Sequence, residues 1–314
     1  MILIRNIKVN IGEELREVLE KKLKSKNFTY KIYKHSIDAR REVYHNYQVL
    51  VEGDRIKLKG LDWDEFHEET FETKADGSGK TVTVVGAGPA GLFAAYFLAE
   101  HGAKVNVIER GSPIEVRAKE VERLMEDGIL NVDSNIQFGE GGAGTFSDGK
   151  LTTRIKNPVC GKIMSEFVKF GAPEEILYVH NPHIGTDKLK GVIKNIREEI
   201  IRLGGEVHFG CTVTDIFGEN GKLCGLEING SEKYNCTDAV FSIGHSARDT
   251  FELFYRKNIH LEAKPFAVGG RIEHKQKMIN EAQYGNDEYA ESLGAAEYKL
   301  TYTTKSGRGV YTFC

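Results

Sequence analysis

The sequence predicts an α/β protein in which a Rossmann-like domain of alternating strands and helices follows a small α+β domain of ferredoxin-like type. Three observations carry that reading. A glycine-rich strand-to-helix turn at 86–91 opens a βαβ pattern, and a helical pattern lies between strand patterns in the first 75 residues. A short polar, glycine-bearing segment, Thr73–Lys80, separates the two regions.

In the first region Ile2–Val9 alternates like a strand, and Leu15, Val18, Leu19 and Leu23 fall at helical spacing across Glu13–Lys24. Phe28–Tyr33 and Val43–Val51 return to strand patterns, with Tyr47, Val49 and Val51 on one face. Charge is segregated here. Residues 1–59 hold 14 Lys/Arg against 8 Asp/Glu, and residues 60–76 hold 1 against 7. An acidic stretch folded beside a basic face explains this as well as a platform for RNA does. No nucleic-acid-binding signature displays the aromatics, so nucleic acid is not an expected partner.

The whole chain has 314 residues, 40% hydrophobic and 28% charged, with a net charge of −3. That is enough for about two domains with a real core, and it exerts no global pull on nucleic acid or anionic membrane. No apolar stretch reaches the ~18 residues of a membrane span. The opening Met1–Arg5 meets charge too early for a signal peptide. The five cysteines, Cys160, Cys211, Cys224, Cys236 and Cys314, are odd in number and without CxxC spacing, so a reducing, cytoplasmic setting is the default.

After the separator the pattern becomes strand Thr81–Val85, helix Gly91–His101 and strand Lys104–Glu109. Helices follow at about Ile114–Glu126 and Cys160–Phe170. Thr186 is expected to cap a long helix striped by Leu189, Val192, Ile193, Ile196, Ile200 and Leu203, which Gly204-Gly205 ends. Glu206–Phe209 reads as a strand. Val213–Phe217 and Leu223–Ile228 flank a hairpin signal, and Asp238–Ile243 runs as a strand into Gly244. The domains read as 1–75 and 81–314, the latter including the start of a substrate-side subdomain at about 255–314.

The turn itself is Gly86-Ala87-Gly88-Pro89-Ala90-Gly91. A lone GxGxxG is weak evidence. This one follows a strand, opens a helix and precedes a second strand ending in Glu109, 18 residues after Gly91. Gly86 permits the tight turn, Gly88 admits a pyrophosphate to the backbone, and Gly91 lets the helix pack on the sheet. The helix N-terminus offers free N–H groups to the diphosphate, and Glu109 can accept ribose hydroxyls. An acid there argues against a 2′-phosphate and hence against NADP. The Gly-Pro-Ala-Gly variant and the Glu-Arg-Gly ending look like flavoproteins resembling glutathione reductase and its relatives. These imply FAD, with the strand ending at Gly244 returning to the flavin and Val213 holding adenine through its main chain.

Residues 135–151 are too dense in glycine for a helix or strand, so a loop with accessible N–H groups is expected. Gly139, Gly141, Gly142, Ser147, Asp148, Gly149 and Lys150 are candidates for the pyrophosphate or flavin edge. A cation such as Lys150 near the ring would stabilise a reduced anion. Arg110 and Arg117 are further cofactor candidates. His180 and His183 could pair on a metal, but Pro182 interrupts them and no third ligand is evident, so no metal is expected. His183, His245, Lys150 and Arg271 are the candidates for catalysis. Asp249 or Ser246 is expected to cap a helix over about Thr250–Lys257. Arg271, Glu273 and His274 are expected on a strand after Pro265-Phe266.

His35-Ser36-Ile37-Asp38-Ala39-Arg40, the run from Ser134 to Arg154, Pro182–Asp187 and Gly244–Thr250 together resemble the uncharacterised FAD-dependent dehydrogenase family of bacteria. Lys264-Pro265-Phe266, Arg271–His274 and Arg308–Cys314 extend the resemblance over essentially the whole chain. Lys275 departs from it, standing where the family tends to have Pro. The resemblance implies an FAD-binding oxidoreductase, with Gly86, Gly88, Gly91, Glu109, Arg110 and the 139–150 loop holding FAD. It also implies that relatives continue past Cys314 into a segment that closes over the flavin, so this chain reads as C-terminally truncated. No second GxGxxG is visible, which leaves NAD(P)H as a transient donor and a small molecule or electron-transfer protein as partner. Two alternatives remain: a flavin-dependent RNA-modifying protein, and a non-catalytic flavin-binding module.

Overall fold

The computed structural model describes residues 1–68, 71, 75–147, 149–151, 153, 155 and 157–313. The chain divides into two units: Met1–Glu69 with Leu177–His180 and Pro265–Cys314, and Thr70–Ile176 with Asn181–Lys264.

The first unit begins with β1 (Ile2–Asn10), α1 (Leu15–Leu23), β2 (Phe28–Asp38), β3 (Tyr44–Gly53) and β4 (Asp62–Glu65). These strands form an antiparallel sheet in the order β2-β3-β1-β4. That is the ferredoxin-like strand order, with β1 and β2 split by β3. The second crossover is irregular chain over residues 54–61 where a ferredoxin-like fold carries a helix. The helical spacing seen in the sequence buries Leu15, Val18, Leu19 and Leu23 against Ile4, Ile7, Val49 and Val51. β2 runs five residues past the expected Tyr33, so His35 and Asp38 lie in a strand. Its outer main chain receives Leu177–His180, with His35 N–H donating to Tyr178 O at 2.7 Å and His180 N–H to His35 O at 2.9 Å.

The second unit contains β5 (Thr81–Val85), α2 (Pro89–Glu100), β6 (Lys104–Ile108), α3 (Ile114–Asp127), α4 (Val159–Lys169) and α5 (Thr186–Arg202). It continues through β7 (Glu206–His208), β8 (Val213–Glu219), β9 (Lys222–Ile228), β10 (Glu232–Asn235), β11 (Ala239–Phe241) and α6 (Arg248–Arg256). The parallel sheet has the order β11-β5-β6-β7, and β8, β9 and β10 make a separate antiparallel sheet. From β5 the chain builds outward to β6 and β7, then returns to the other side as β11. The switch point therefore lies between β5 and β11, and ligands of such sheets bind beyond the strand ends there. The α5 stripe from Leu189 to Ile200 is buried as expected, packed with Leu92, Tyr96, Val105 and Val107 in one core, with Leu203 half-buried at the helix end.

The remaining elements, α7 (Gln276–Tyr284), α8 (Tyr289–Leu293), β12 (Lys299–Thr303) and β13 (Gly309–Phe313), belong to the first unit.

Three local expectations are corrected. Thr186 is the first helical residue of α5, after Gly185, and makes no capping bond. Ala247 precedes α6, because Asp249 is drawn to Arg110 and Ser246 to His245 instead of to the helix end. Arg271, Glu273 and His274 lie in irregular chain with no strand partner among the described residues. Among the described residues no helix is long and apolar enough to cross a membrane.

Candidate dinucleotide site

The site is assembled where β5 turns into α2. Gly86 has φ +100°, and a Cβ there would stand 2.5 Å from Ser242 O, because the chain leaving β11 passes directly beside the turn. A Cβ on Gly91 would meet Gly86 O at 1.8 Å. Both glycines are therefore required by backbone packing. Gly88 differs. Its Cβ would touch only Gly142 Cα, at 3.9 Å, so space lies open on that side of the turn.

Pro89 begins α2, where its missing N–H costs nothing. The N–H groups of Gly88, Ala90 and Gly91 have no acceptor among the described residues. Three donors at the positive end of a 12-residue helix, beside open space, fit an anion.

Glu109 follows β6 and is buried. One carboxylate oxygen accepts from Ala87 N–H at 2.6 Å and the other from Gly111 N–H at 2.8 Å. The carboxylate thus grips the turn and presents its remaining lone pairs beside it, where a ribose on the same diphosphate would come.

The loop after α3 is more ordered than its composition suggested. Ala143–Phe146 form one 3₁₀ turn, and residues 135–142 before it are held from inside by Arg117. This guanidinium is wholly buried, and it donates to the carbonyls of Asn135 (2.9 Å), Ile136 (3.0 Å), Gly139 (3.2 Å), Glu140 (2.6 Å) and Gly142 (2.9 Å). Phe146 covers one face, its ring centre 4.8 Å from the guanidinium carbon. Burial lowers the Arg117 pKa to about 10, which leaves it charged at neutral pH. The expectation that Arg117 touches the cofactor is corrected, since all of its bonding capacity in view goes to loop carbonyls.

Glu140 was not singled out as a site residue, yet it is fully buried. Its Oε2 accepts from Ile114 N–H at 2.7 Å, at the start of α3, and from Arg197 of α5 at 3.0 Å. Burial outweighs both partners and raises its pKa to about 7. A glutamate inside a glycine run was the only signal in the sequence. Nothing there pointed to Arg197, 57 residues away.

The far end of the loop is pinned to the start of α5. Gly149 O accepts from Ile184 N–H at 3.0 Å and Pro182 O from Leu151 N–H at 2.8 Å. Lys150 and His183 thereby become opposite partners in an antiparallel bridge, so two catalytic candidates are brought together, both exposed. Ser147 is exposed beside them in sequence, and Asp148 lies outside the described residues.

Gly244 (φ +70°) ends the segment that passes the turn, followed by exposed His245, whose Nδ1 lies 2.7 Å from Ser246 Oγ. Arg110 is committed to Asp249 at 2.5 Å. Val213 opens β8 and is buried in the small core under the antiparallel sheet. Arg271 belongs to the other unit, nine-tenths exposed and 3.7 Å from Glu273.

Residues 84–138 match a family model described as an NAD(P)-binding Rossmann-like domain. Residues 265–314 match one described as an FAD-dependent protein, C-terminal domain-like. The chain carries a Rossmann-like domain, and a separate stretch of it is similar to the C-terminal domain of FAD-dependent proteins. Residues 1–52 match a domain of unknown function. An uncharacterised protein of Clostridium beijerinckii is 46% identical over the whole chain, which spans 62% of that relative's length. A putative oxidoreductase of Escherichia coli, YgfK, is 48% identical over 15% of this chain and 5% of its own. Among solved structures the chain is similar to THI4 of Thermovibrio ammonificans, with TM-score 0.37 and 22% identity, covering 58% of this chain and 64% of that one. It is also similar to glycine oxidase of Bacillus cereus, with TM-score 0.30 and 17% identity, covering 57% and 58%.

Proposed function

We propose that this chain binds FAD non-covalently and serves an oxidoreductase that passes a hydride or electrons between a small-molecule substrate, or an electron-transfer protein, and a second redox partner. The observation that carries the reading is the pairing of Glu109, fixed on Ala87 and Gly111, with three unaccepted N–H groups at the head of α2. Diphosphate and ribose are thereby offered donors and an acceptor within one turn of chain.

FAD supplies the redox chemistry when bound, and the protein's task is to hold and tune it. Gly88, Ala90 and Gly91 bind the diphosphate through their N–H groups. Glu109 would accept from the adenosine ribose, the Val213 main chain would hold the adenine, and the 139–150 loop would hold the pyrophosphate or flavin edge. The bridge that sets Lys150 opposite His183 places an ammonium beside an imidazole, which suits orienting a substrate and handing it a proton. His245, with Nδ1 engaged by Ser246, has Nε2 for the same use. NAD(P)H is the transient donor, and the setting is the cytoplasm.

Absorption spectroscopy tests the reading. Purified protein titrated with FAD is expected to hold stoichiometric flavin through gel filtration, and anaerobic NADH or NADPH is expected to bleach it. Protein that stays colourless with excess FAD would end the assignment. A flavin that binds but resists every donor would replace the enzyme with a flavin-binding module.

A further inference from the structure

We infer that Arg117 is a positioning residue of the dinucleotide site, which acts from behind the glycine-rich loop to turn the Ala143 N–H outward as a further donor to the diphosphate. The inference rests on the reading of this site as a dinucleotide site and adds to it a donor and the side chain that aims it.

The argument comes from peptide geometry. In a trans peptide the C=O and the following N–H point in opposite directions. The peptide between Glu140 and Gly141 shows what this does here. Its carbonyl accepts from Arg117 at 2.6 Å, and its N–H, on the far side, donates to Ala87 O of the dinucleotide turn at 2.8 Å. For this peptide, pointing away from Arg117 means pointing at the turn. Two residues on, the arrangement repeats. Gly142 O accepts from Arg117 at 2.9 Å, so the Ala143 N–H faces away from the guanidinium, and it has no acceptor among the described residues.

The loop lies close enough for this donor to matter. A Cβ on Gly142 would stand 3.0 Å from Pro89 Cδ and 3.3 Å from Gly88 Cα, against the first residues of α2. The Ala143 N–H thus joins the donors at the head of that helix. Arg117 also contributes its charge. Among the described residues it has no carboxylate within ion-pair distance, and its hydrogen-bond partners there are all carbonyls. A cation at the carbonyl end of a peptide polarises the N–H at the other end, and an anion received there completes the charge pair across the peptide. Glu140 and Arg197 hold the outer side of the same loop to α3 and α5, which leaves the inward position of the guanidinium as its fixed point.

The test compares ADP with adenosine, which share base and ribose but differ in the diphosphate. Arg117→Gln is expected to weaken ADP and FAD binding about 10- to 100-fold, the worth of charge-assisted hydrogen bonds, and to leave adenosine binding unchanged. Arg117→Lys keeps the charge without the fork and is expected to recover part of the loss. A measurement on the unsubstituted protein keeps the inference open to refutation if both variants fail to fold. Amide exchange at Ala143 is expected to slow when ADP binds and not when adenosine binds. Equal losses for ADP and adenosine in Arg117→Gln, or an Ala143 amide indifferent to ADP, would overturn it. Protein that binds neither ADP nor FAD refutes the function proposed above, whereas normal ADP binding with an indifferent Arg117 sinks this inference alone.

Discussion

Two glycine-rich segments meet at the head of α2, and they are held by opposite means. The 86–91 turn is shaped by its own backbone: Gly91 is pressed against Gly86 O and Gly86 against Ser242 O, with the Glu109 carboxylate as clamp. The 139–142 loop is shaped by side chains. Arg117 gathers its carbonyls, and a Cβ on Gly139 would strike Arg117 Cδ at 2.5 Å, while one on Gly141 would strike Ile193 Cδ1 at 2.4 Å. A turn made by backbone sterics tolerates almost no change at its glycines. A loop made by a buried cation is adjustable through the residues around that cation. That difference is a reason for the first segment to form the fixed floor of the diphosphate site and for the second to supply its adjustable donor.

Gly91→Ala should break the first segment outright. No rotamer relieves a Cβ 1.8 Å from a carbonyl oxygen, so a loss of more than about 3 kcal/mol is expected, seen as a collapse of the thermal transition or as insoluble protein. Glu109→Ala follows in size. It leaves the Ala87 and Gly111 donors without their acceptor, costing about 1–3 kcal/mol each, and FAD affinity by fluorescence titration should fall by at least about tenfold. Unchanged affinity would place the ribose elsewhere.

Gly88→Ala sharpens the comparison, because its Cβ meets nothing closer than 3.9 Å. The melting temperature should hold while FAD affinity drops, since the methyl group occupies the space into which the diphosphate comes. Equal damage to both would show that Gly88, like Gly91, serves packing alone.

Glu140 probes the second segment through pH. Burial lifts its pKa to about 7 from an ordinary 4.5, so the folded protein keeps a proton that the unfolded chain gives up. Its contribution to stability is full below about pH 4.5 and is lost as pH rises through 7. In Glu140→Gln that loss disappears, and the melting temperature relative to the unsubstituted protein should climb between pH 5 and 7. A flat difference would refute the buried, protonated carboxyl. The smallest effect is expected of Asp249→Asn. Its bridge to Arg110 joins side chains 56% and 21% exposed, and such pairs contribute less than about 1 kcal/mol, so a shift of a degree or two in melting temperature should result.

Much of the fold was legible because the signals were local. The α5 stripe, the Gly86–Gly91 turn and the strand ending beside Glu109 each lie within one or two elements, where periodicity and backbone sterics act on neighbours. Within the candidate site, Glu109 was legible for the same reason, since its distance from the turn is set by a single helix and strand. Arg117 was visible as a cation near the site, but its role was misread. Nothing in the spacing of 117 and 139 shows that a guanidinium will face five carbonyls and not solvent.

The sequence by itself determined where strand must turn into helix and which residue types can line that turn, because steric exclusion at glycine and the period of apolar residues need no distant partner. Only the tertiary structure decided that Lys150 would face His183, that Asp249 would turn from its helix to Arg110, and that Glu140 would be buried against Arg197. Those outcomes depend on which polar groups are brought together when water is removed. The free energy of a buried charge is set by the partners it meets, and the chain order does not specify them.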